Sequence, residues 1–294
     1  EWTAALMFGI LIAATDPVSV VATFKEAGVH GRLRLLVEAE SLLNDGTAAV
    51  GYAVIVLLAA GGTLSAAGTA KTLITTVAGG IACGAVVAAM VTALARRTAD
   101  PLVEIVFTTF AAYTSFLTAE HFHFSGILAS LTAGLMMGNN GLLTGVSPKG
   151  RDAVTAYWEF LGFLANSMIF MGIGLYLSRQ NFAGAVAPAA IAVLVVLAGR
   201  ALAVYPCCAV FAPSVLRVKK SHQHVLFWGG LRGALALALA MGLPSSVPHQ
   251  EMIVSVAFAV VTFSILIQGL TMTPLLRRMG EIPPGVPEGK VQES

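Results

Sequence analysis

Apolar stretches of membrane-crossing length follow one another along nearly the whole chain, separated by short polar connections. A membrane helix needs about 20 largely apolar residues. That rule predicts about nine spans, at 2–24, 33–60, 69–95, 102–119, 124–139, 154–177, 184–212, 224–243 and 251–276. The 124–139 span is short and contains glycine. Between spans the chain carries turn chemistry, for instance Gly61-Gly62, Asp100-Pro101 and Ser147-Pro148. The stretch after Leu276 is rich in proline, glycine and charge and reads as a poorly ordered tail. The pattern predicts an all-α polytopic membrane protein without a soluble domain.

Composition agrees with the pattern. Of 294 residues 57% are hydrophobic and 11% charged, with a mean hydropathy of +0.83, whereas soluble domains are about 25% charged. The net charge of +2 says little, and no basic patch with interleaved aromatics marks a nucleic-acid binder. Cys83, Cys207 and Cys208 fall in apolar segments and read as buried small hydrophobes. The basic residues are more informative. Arg200 and Arg232 lie inside spans, and only Lys71 and Arg179 belong to even-numbered connections. The other Lys and Arg residues crowd the odd-numbered connections and the tail. Positive residues stay cytoplasmic, so the C-terminus is expected inside and Glu1 outside. The first residues do not read as a signal peptide, and Glu1-Trp2 reads as an interfacial flank of a helix already under way. Earlier helices are therefore expected ahead of it.

Two spans are interrupted. The first carries Ala14-Thr15-Asp16-Pro17 at its midpoint, and proline removes a backbone donor and disfavours helix in the residue before it. The other carries Trp228-Gly229-Gly230-Leu231-Arg232-Gly233, where three glycines make unwinding easy. A proline kink and a small-residue helix contact are the plainer explanations. An ionisable residue inside each break points instead to the binding site of a secondary transporter, which is built from discontinuous helices.

The second span supplies the remaining polar groups. Ser41 and Asp45 are i,i+4 neighbours on one helix face, and Glu40 and Asn44 form the adjacent stripe. Asp45 lies roughly 18 Å along the axis from Leu33, near mid-membrane, and Asp16 reaches a similar depth from the other side. Asp16, Asp45, Ser41 and the Thr15 carbonyl make an oxygen shell suited to a hard cation such as Na⁺ or Li⁺. A site of that kind holds a proton or a cation but not both, which couples the two fluxes. Glu38 reads as the i+4 surface partner of Arg34. Glu40 and Arg232 are both too deep to snorkel, so they are expected to pair. Arg200 needs a carboxylate or carbonyls, and its partner stays open. His30, His121, His123, His222, His224 and His249 sit at connections or span ends, where they are interfacial or sense pH. With no histidine–cysteine metal spacing and no nucleotide-binding loop, no cofactor is expected and an ion gradient is the driving force.

The stretches ATDPVSVVATFKEAGV, LVEAESLLNDGTAAV, FSGILASLTAGLMMGN and FWGGLRGALALALA, followed by QGLTMTPLLRR, resemble the bacterial Na⁺/H⁺ antiporters of the monovalent cation:proton antiporter family. The branch is that of the sodium/hydrogen exchangers. The resemblance implies a fold of two inverted repeats of six helices joined by a linker helix, with the fifth and twelfth helices crossed and unwound. Residues 1–60 would then end the first repeat, 61–101 hold the linker helix, 102–276 form the second repeat and 277–294 the cytoplasmic tail. The chain would lack the first four helices.

Carried over by residue, the resemblance makes Asp45 the ion- or proton-binding aspartate. Thr15, Asp16 and Ser41 become further cation ligands, and Glu40 with Arg232 a structural ion pair. Asn44 stands where electrogenic relatives have a second aspartate, which implies one-for-one exchange. A homodimer in the inner cell membrane, serving pH and sodium homeostasis, is implied for the complete protein. A K⁺/H⁺ exchanger and a non-transporting fragment are the nearer alternatives. An intramembrane aspartyl protease, and with it an enzyme, is disfavoured because neither Tyr-Asp nor Gly-x-Gly-Asp occurs.

Overall fold

The computed structural model describes residues 2–59, 66–138, 146–177, 186–244 and 247–282. Among them every regular element is a helix. Glu1, the Gly61-Gly62 turn, Arg179, Lys290 and the tail beyond Ile282 lie outside the described residues. The helices are α1 (Trp2–Leu11), α2 (Val18–Glu26), α3 (Arg32–Ala59), α4 (Ala66–Ala95), α5 (Pro101–His121), α6 (Gly126–Gly138), α7 (Arg151–Leu177), α8 (Val186–Val210), α9 (Lys220–Trp228), α10 (Ala234–Met241), α11 (Gln250–Phe263) and α12 (Leu270–Arg278). A π-helical turn, Ser264–Gly269, joins α11 to α12 without a break.

These elements fall on the predicted spans. Four of the described helices are long and apolar enough to cross a membrane unaided: Ala70–Ala95, Pro101–His121, Val186–Val210 and Gln250–Arg278. The other expected crossings miss that standard for visible reasons. Two are split into α1/α2 and α9/α10, α6 has only 13 residues, and α3 and α7 mix charged and other polar residues among the apolar ones. The chain is a multi-pass membrane protein.

Two compact units form. The first comprises Glu1–Ala48 and Leu175–Ser294, the second Ala49–Gly174. These are units of packing, and their boundaries do not bear on the repeats expected to end at 60 and begin at 102. In the first unit Val20, Phe24, Leu33, Val225, Leu231, Met272 and Leu276 form one buried cluster that holds α2, α9 and α12 together. All the groups of the interrupted helices belong to this unit.

The second unit rests on α4, α5 and α6, each packed on the other two. Small residues allow the α4–α6 approach. A Cβ at Gly80 would meet the Ser125 carbonyl, and one at Gly84 would meet the backbone of Ala129. This is close packing of the small-xxx-small kind, which drives helix association where no hydrophobic effect acts between helices. Asp100 caps α5 by accepting from the Leu102 N–H at 2.8 Å, with Pro101 in the first turn. Glu104, fully buried in that first turn, accepts the Ser147 N–H at 3.1 Å and so ties down the Ser147-Pro148 turn. A carboxylate is also favoured there by the helix dipole.

The packing yields a prediction. Gly84→Ala in the complete protein should lower the melting temperature, since overpacking costs about 1–3 kcal/mol. Gly134→Ala, where an added Cβ meets nothing within 4 Å, should leave it unchanged. Equal melting curves for the two variants would show that α4 and α6 do not approach this closely.

Candidate functional site

The two helix breaks cross. After α1 the chain has no regular structure at residues 14–17, and after α9 it is non-helical from 229 to 233. At the crossing the Asp16 N–H donates to the Leu231 carbonyl at 2.7 Å. Glycine is required by proximity at two points. A Cβ at Gly233 would fall on the Asp16 side chain, and one at Gly230 on the Arg200 guanidinium. The Asp16 carboxylate accepts the Val18 N–H at 2.9 Å, which holds the first turn of α2 just beyond Pro17.

The polar side of α3 faces this crossing. The Ser41 hydroxyl donates to the Thr15 carbonyl. The Asn44 amide donates to the Thr15 hydroxyl at 3.1 Å and to the Glu40 carboxylate at 2.7 Å, so it ties the Glu40–Asn44 stripe of α3 to the crossing. Asp45 faces the Thr15 backbone and lies within electrostatic reach of Asp16. Its Oδ1 is buried and bonded to no described residue. Thr15, Asp16, Ser41, Asn44 and Asp45, separated by up to 30 positions in sequence, thus come together at one point.

The expected Glu40–Arg232 pair does not form. Glu40 is held by Arg200, whose Nη1 meets Oε1 and whose Nη2 donates to Oε2 at 2.6 Å. This planar two-point contact is the strong form of an arginine–carboxylate pair. The same Nη2 also donates to the Leu226 carbonyl at 2.7 Å, near the end of α9. Arg232 instead donates to the carbonyls of Ile12, Ala13 and Ala14, at 2.8 Å for Ala13 and 3.4 Å for Ala14. The reason lies in the break after α1. The carbonyls just past Leu11 have no helical partners and sit at the negative end of the α1 dipole, so a buried guanidinium answers both needs. Glu40 stays within electrostatic range of Arg232 but gives its oxygens to Arg200.

Sequence reasoning missed Gln268. It sits in the π-helical turn, almost fully buried, and donates to the Trp228 carbonyl at 3.1 Å while accepting from Ser264 at 2.7 Å. Trp228 makes a second contact with the same helix, donating from its indole to Thr271 at 2.8 Å. The available signal was one amide side chain within the apolar run Ser264-Ile-Leu-Ile-Gln268. π-turns frequently mark functional positions in helices.

A cavity of about 830 Å³ opens beside the crossing, with Phe8, Ile12, Glu40, Asn44, Arg200 and Arg232 among its lining. Cys207 and Cys208 also border it. Cys208 is buried as expected, but Cys207 is exposed and Cys83 only half-buried, and all three are free thiols. Arg34 and Glu38 form the expected helix-surface pair at 2.8 Å.

Crossed, discontinuous helices that bring carboxylates together at membrane depth are the architecture of an ion-coupled secondary transporter. The family model for the transmembrane part of sodium/hydrogen exchangers matches residues 1–278. The chain is 36% identical over 283 residues to the Na⁺/H⁺ antiporter ApNhaP of Aphanothece halophytica, covering 95% of this chain and 54% of that protein. It is 32% identical over 282 residues to the Na⁺/H⁺ antiporter NhaH of Halobacillus dabanensis, covering 95% of this chain and 69% of that one. Among solved structures, the sodium proton antiporter MjNhaP1 from Methanocaldococcus jannaschii matches with a TM-score of 0.71 at 20% identity, over 94% of this chain and 71% of that chain. The chain belongs to the sodium/hydrogen exchanger family, a family of transporters. It spans about half the length of the Aphanothece protein.

The arginine geometry is testable by a stability cycle in the complete protein. Arg200→Ala should cost about 3–5 kcal/mol, because it strands the Glu40 carboxylate in low dielectric. Glu40→Ala should be comparably costly, and the double variant should lose clearly less than the sum. Glu40→Ala with Arg232→Ala should come much nearer additivity. Coupling confined to the second cycle would reassign the pair.

Proposed function

We propose that the complete protein exchanges Na⁺ or Li⁺ for H⁺, one for one, by alternating access. It would lie in the inner cell membrane as a homodimer with its C-terminus in the cytoplasm, and serve pH and sodium homeostasis. The observation that carries this reading is the uncommitted oxygen of Asp45, buried where the two broken helices cross. Around it stand Asp16, the Thr15 carbonyl and the Ser41 hydroxyl, oxygen donors of the kind hard monovalent cations take. Ser41 spends its proton on the Thr15 carbonyl, which leaves its oxygen lone pairs free to coordinate. With Asp45 protonated the pocket releases the cation, and with a cation bound it releases the proton. No cofactor is needed for that exchange. The related Na⁺/H⁺ antiporters support the same reading, and the charge bias of the connections supports the orientation.

Asn44 supports the one-for-one ratio. Its amide cannot release a proton, and its two donated hydrogen bonds, to Thr15 and Glu40, serve to brace the crossing.

Two measurements test the proposal. In proteoliposomes of the complete protein, Asp45→Asn should abolish proton movement driven by Na⁺, and near-wild-type exchange would remove Asp45 from the site. In vesicles clamped with K⁺ and valinomycin, wild-type exchange should not change with imposed potential at fixed Na⁺ and pH gradients. A steep voltage dependence would overturn the one-for-one ratio while leaving Asp45 in place.

A further inference from the structure

A second cavity, of about 380 Å³, lies away from the crossing where three chain segments meet. His30 and Arg32 come from the connection between α2 and the start of α3. Arg217, Lys219 and His222 come from the approach to α9 and its first turn, and Glu281 follows α12. Arg32 builds one wall by donating to the carbonyls of Leu216, at 2.5 Å, and Arg217, at 3.1 Å, which pins the first segment to the second. Two of its five N–H groups are marked out by those bonds, and the guanidinium keeps its full charge. His222 Nε2 meets Glu281 Oε2 at 3.3 Å and closes the third side.

What remains is an excess of unspent positive charge. The Arg217 and Lys219 side chains have no partner among the described residues. Arg32, Arg217 and Lys219 face a single lining carboxylate, Glu281, that is already engaged by His222. The start of α9 adds to this. Its N-cap residue, Lys219, makes no side-chain capping bond, so the first-turn N–H groups present the positive end of a helix dipole. Cations, imidazoles and free N–H groups converging from three segments match a tetrahedral oxyanion.

We propose that this cleft binds a phosphate group, carried by an anionic phospholipid headgroup or by free phosphate. On the orientation proposed above the cleft opens at the cytoplasmic surface, where anionic headgroups are concentrated and basic pockets between membrane helices take them up. Occupancy would fasten the first turn of α9, the start of α3 and the end of α12 to one ligand.

The test uses the complete protein and reads binding, so a failure of ion exchange would leave it interpretable. Native mass spectrometry follows retention of phosphatidylglycerol against phosphatidylcholine. A thermal-shift assay compares potassium phosphate with potassium chloride at equal ionic strength. Arg217→Gln with Lys219→Gln, both exposed side chains, should weaken binding about tenfold or more. Lys149→Gln with Arg151→Gln, an equal loss of charge at another connection, should bind as wild type does.

Selective retention of phosphatidylglycerol, lost in the first variant alone, supports the site with lipid as the source. Stabilisation by phosphate, lost in the first variant alone, supports it with free phosphate as the source. If neither ligand separates wild type from the first variant, or both variants lose binding equally, the cleft is ordinary surface charge and the proposal is wrong.

Discussion

Breaking a helix inside hydrocarbon frees backbone groups that no water can reach, at a cost of several kcal/mol for each one left unpaired. The crossing is organised by that constraint. The Ile12, Ala13 and Ala14 carbonyls go to Arg232, the Leu226 carbonyl to Arg200, the Trp228 carbonyl to Gln268, and the Leu231 carbonyl to the Asp16 N–H. Each broken helix is thus satisfied largely by groups from elsewhere in the chain, two of them charged. Such a break persists only while α3, α8 and α11–α12 stay packed around it, which makes the site a property of the whole first unit.

The helices, the two interruptions and the grouping of Asp16 with Asp45 were legible because each has a signature in residue type. Apolar runs give length, Asp-Pro and Gly-Gly give breaks, and i,i+4 spacing puts Ser41 and Asp45 on one face. The arginine partners were not legible. Depth alone made Arg200 and Arg232 equal claimants on Glu40, and the acceptors that decide between them are backbone carbonyls, which have no letter in a sequence. Gln268 was missed for a related reason. Its importance follows from the Trp228 carbonyl, 40 residues earlier, and from a π-helical turn that no periodicity announces. The small-residue contact of Gly80 and Gly84 with α6 was visible as spacing but had no assignable partner helix.

Asn44 joins the two halves of the site. Its donated hydrogen bonds run to Thr15 at the crossing and to Glu40 in the ion pair, so the pocket and its scaffold share one side chain. An aspartate there would lose both donors and set a second negative charge against Glu40. The asparagine is therefore more than the absence of a titrating group, because the Glu40–Arg200 pair is arranged around its amide.

A carboxylate can exchange ligands only if its oxygens are not already engaged. Glu38 is tied to Arg34, Glu40 to Arg200 and Asn44, and Glu104 to the Ser147 turn. Asp16 has one oxygen on the Val18 N–H and its side chain pressed against Gly233. Asp45 alone among these keeps a buried oxygen with no described partner. Elsewhere in the first unit Arg200 and Arg232 close off freed backbone carbonyls, and Glu40 is held by Arg200. The division of labour follows from hydrogen-bonding capacity: the arginines and Glu40 hold the crossing in place, and Asp45 keeps the free oxygen on which the proposed exchange rests.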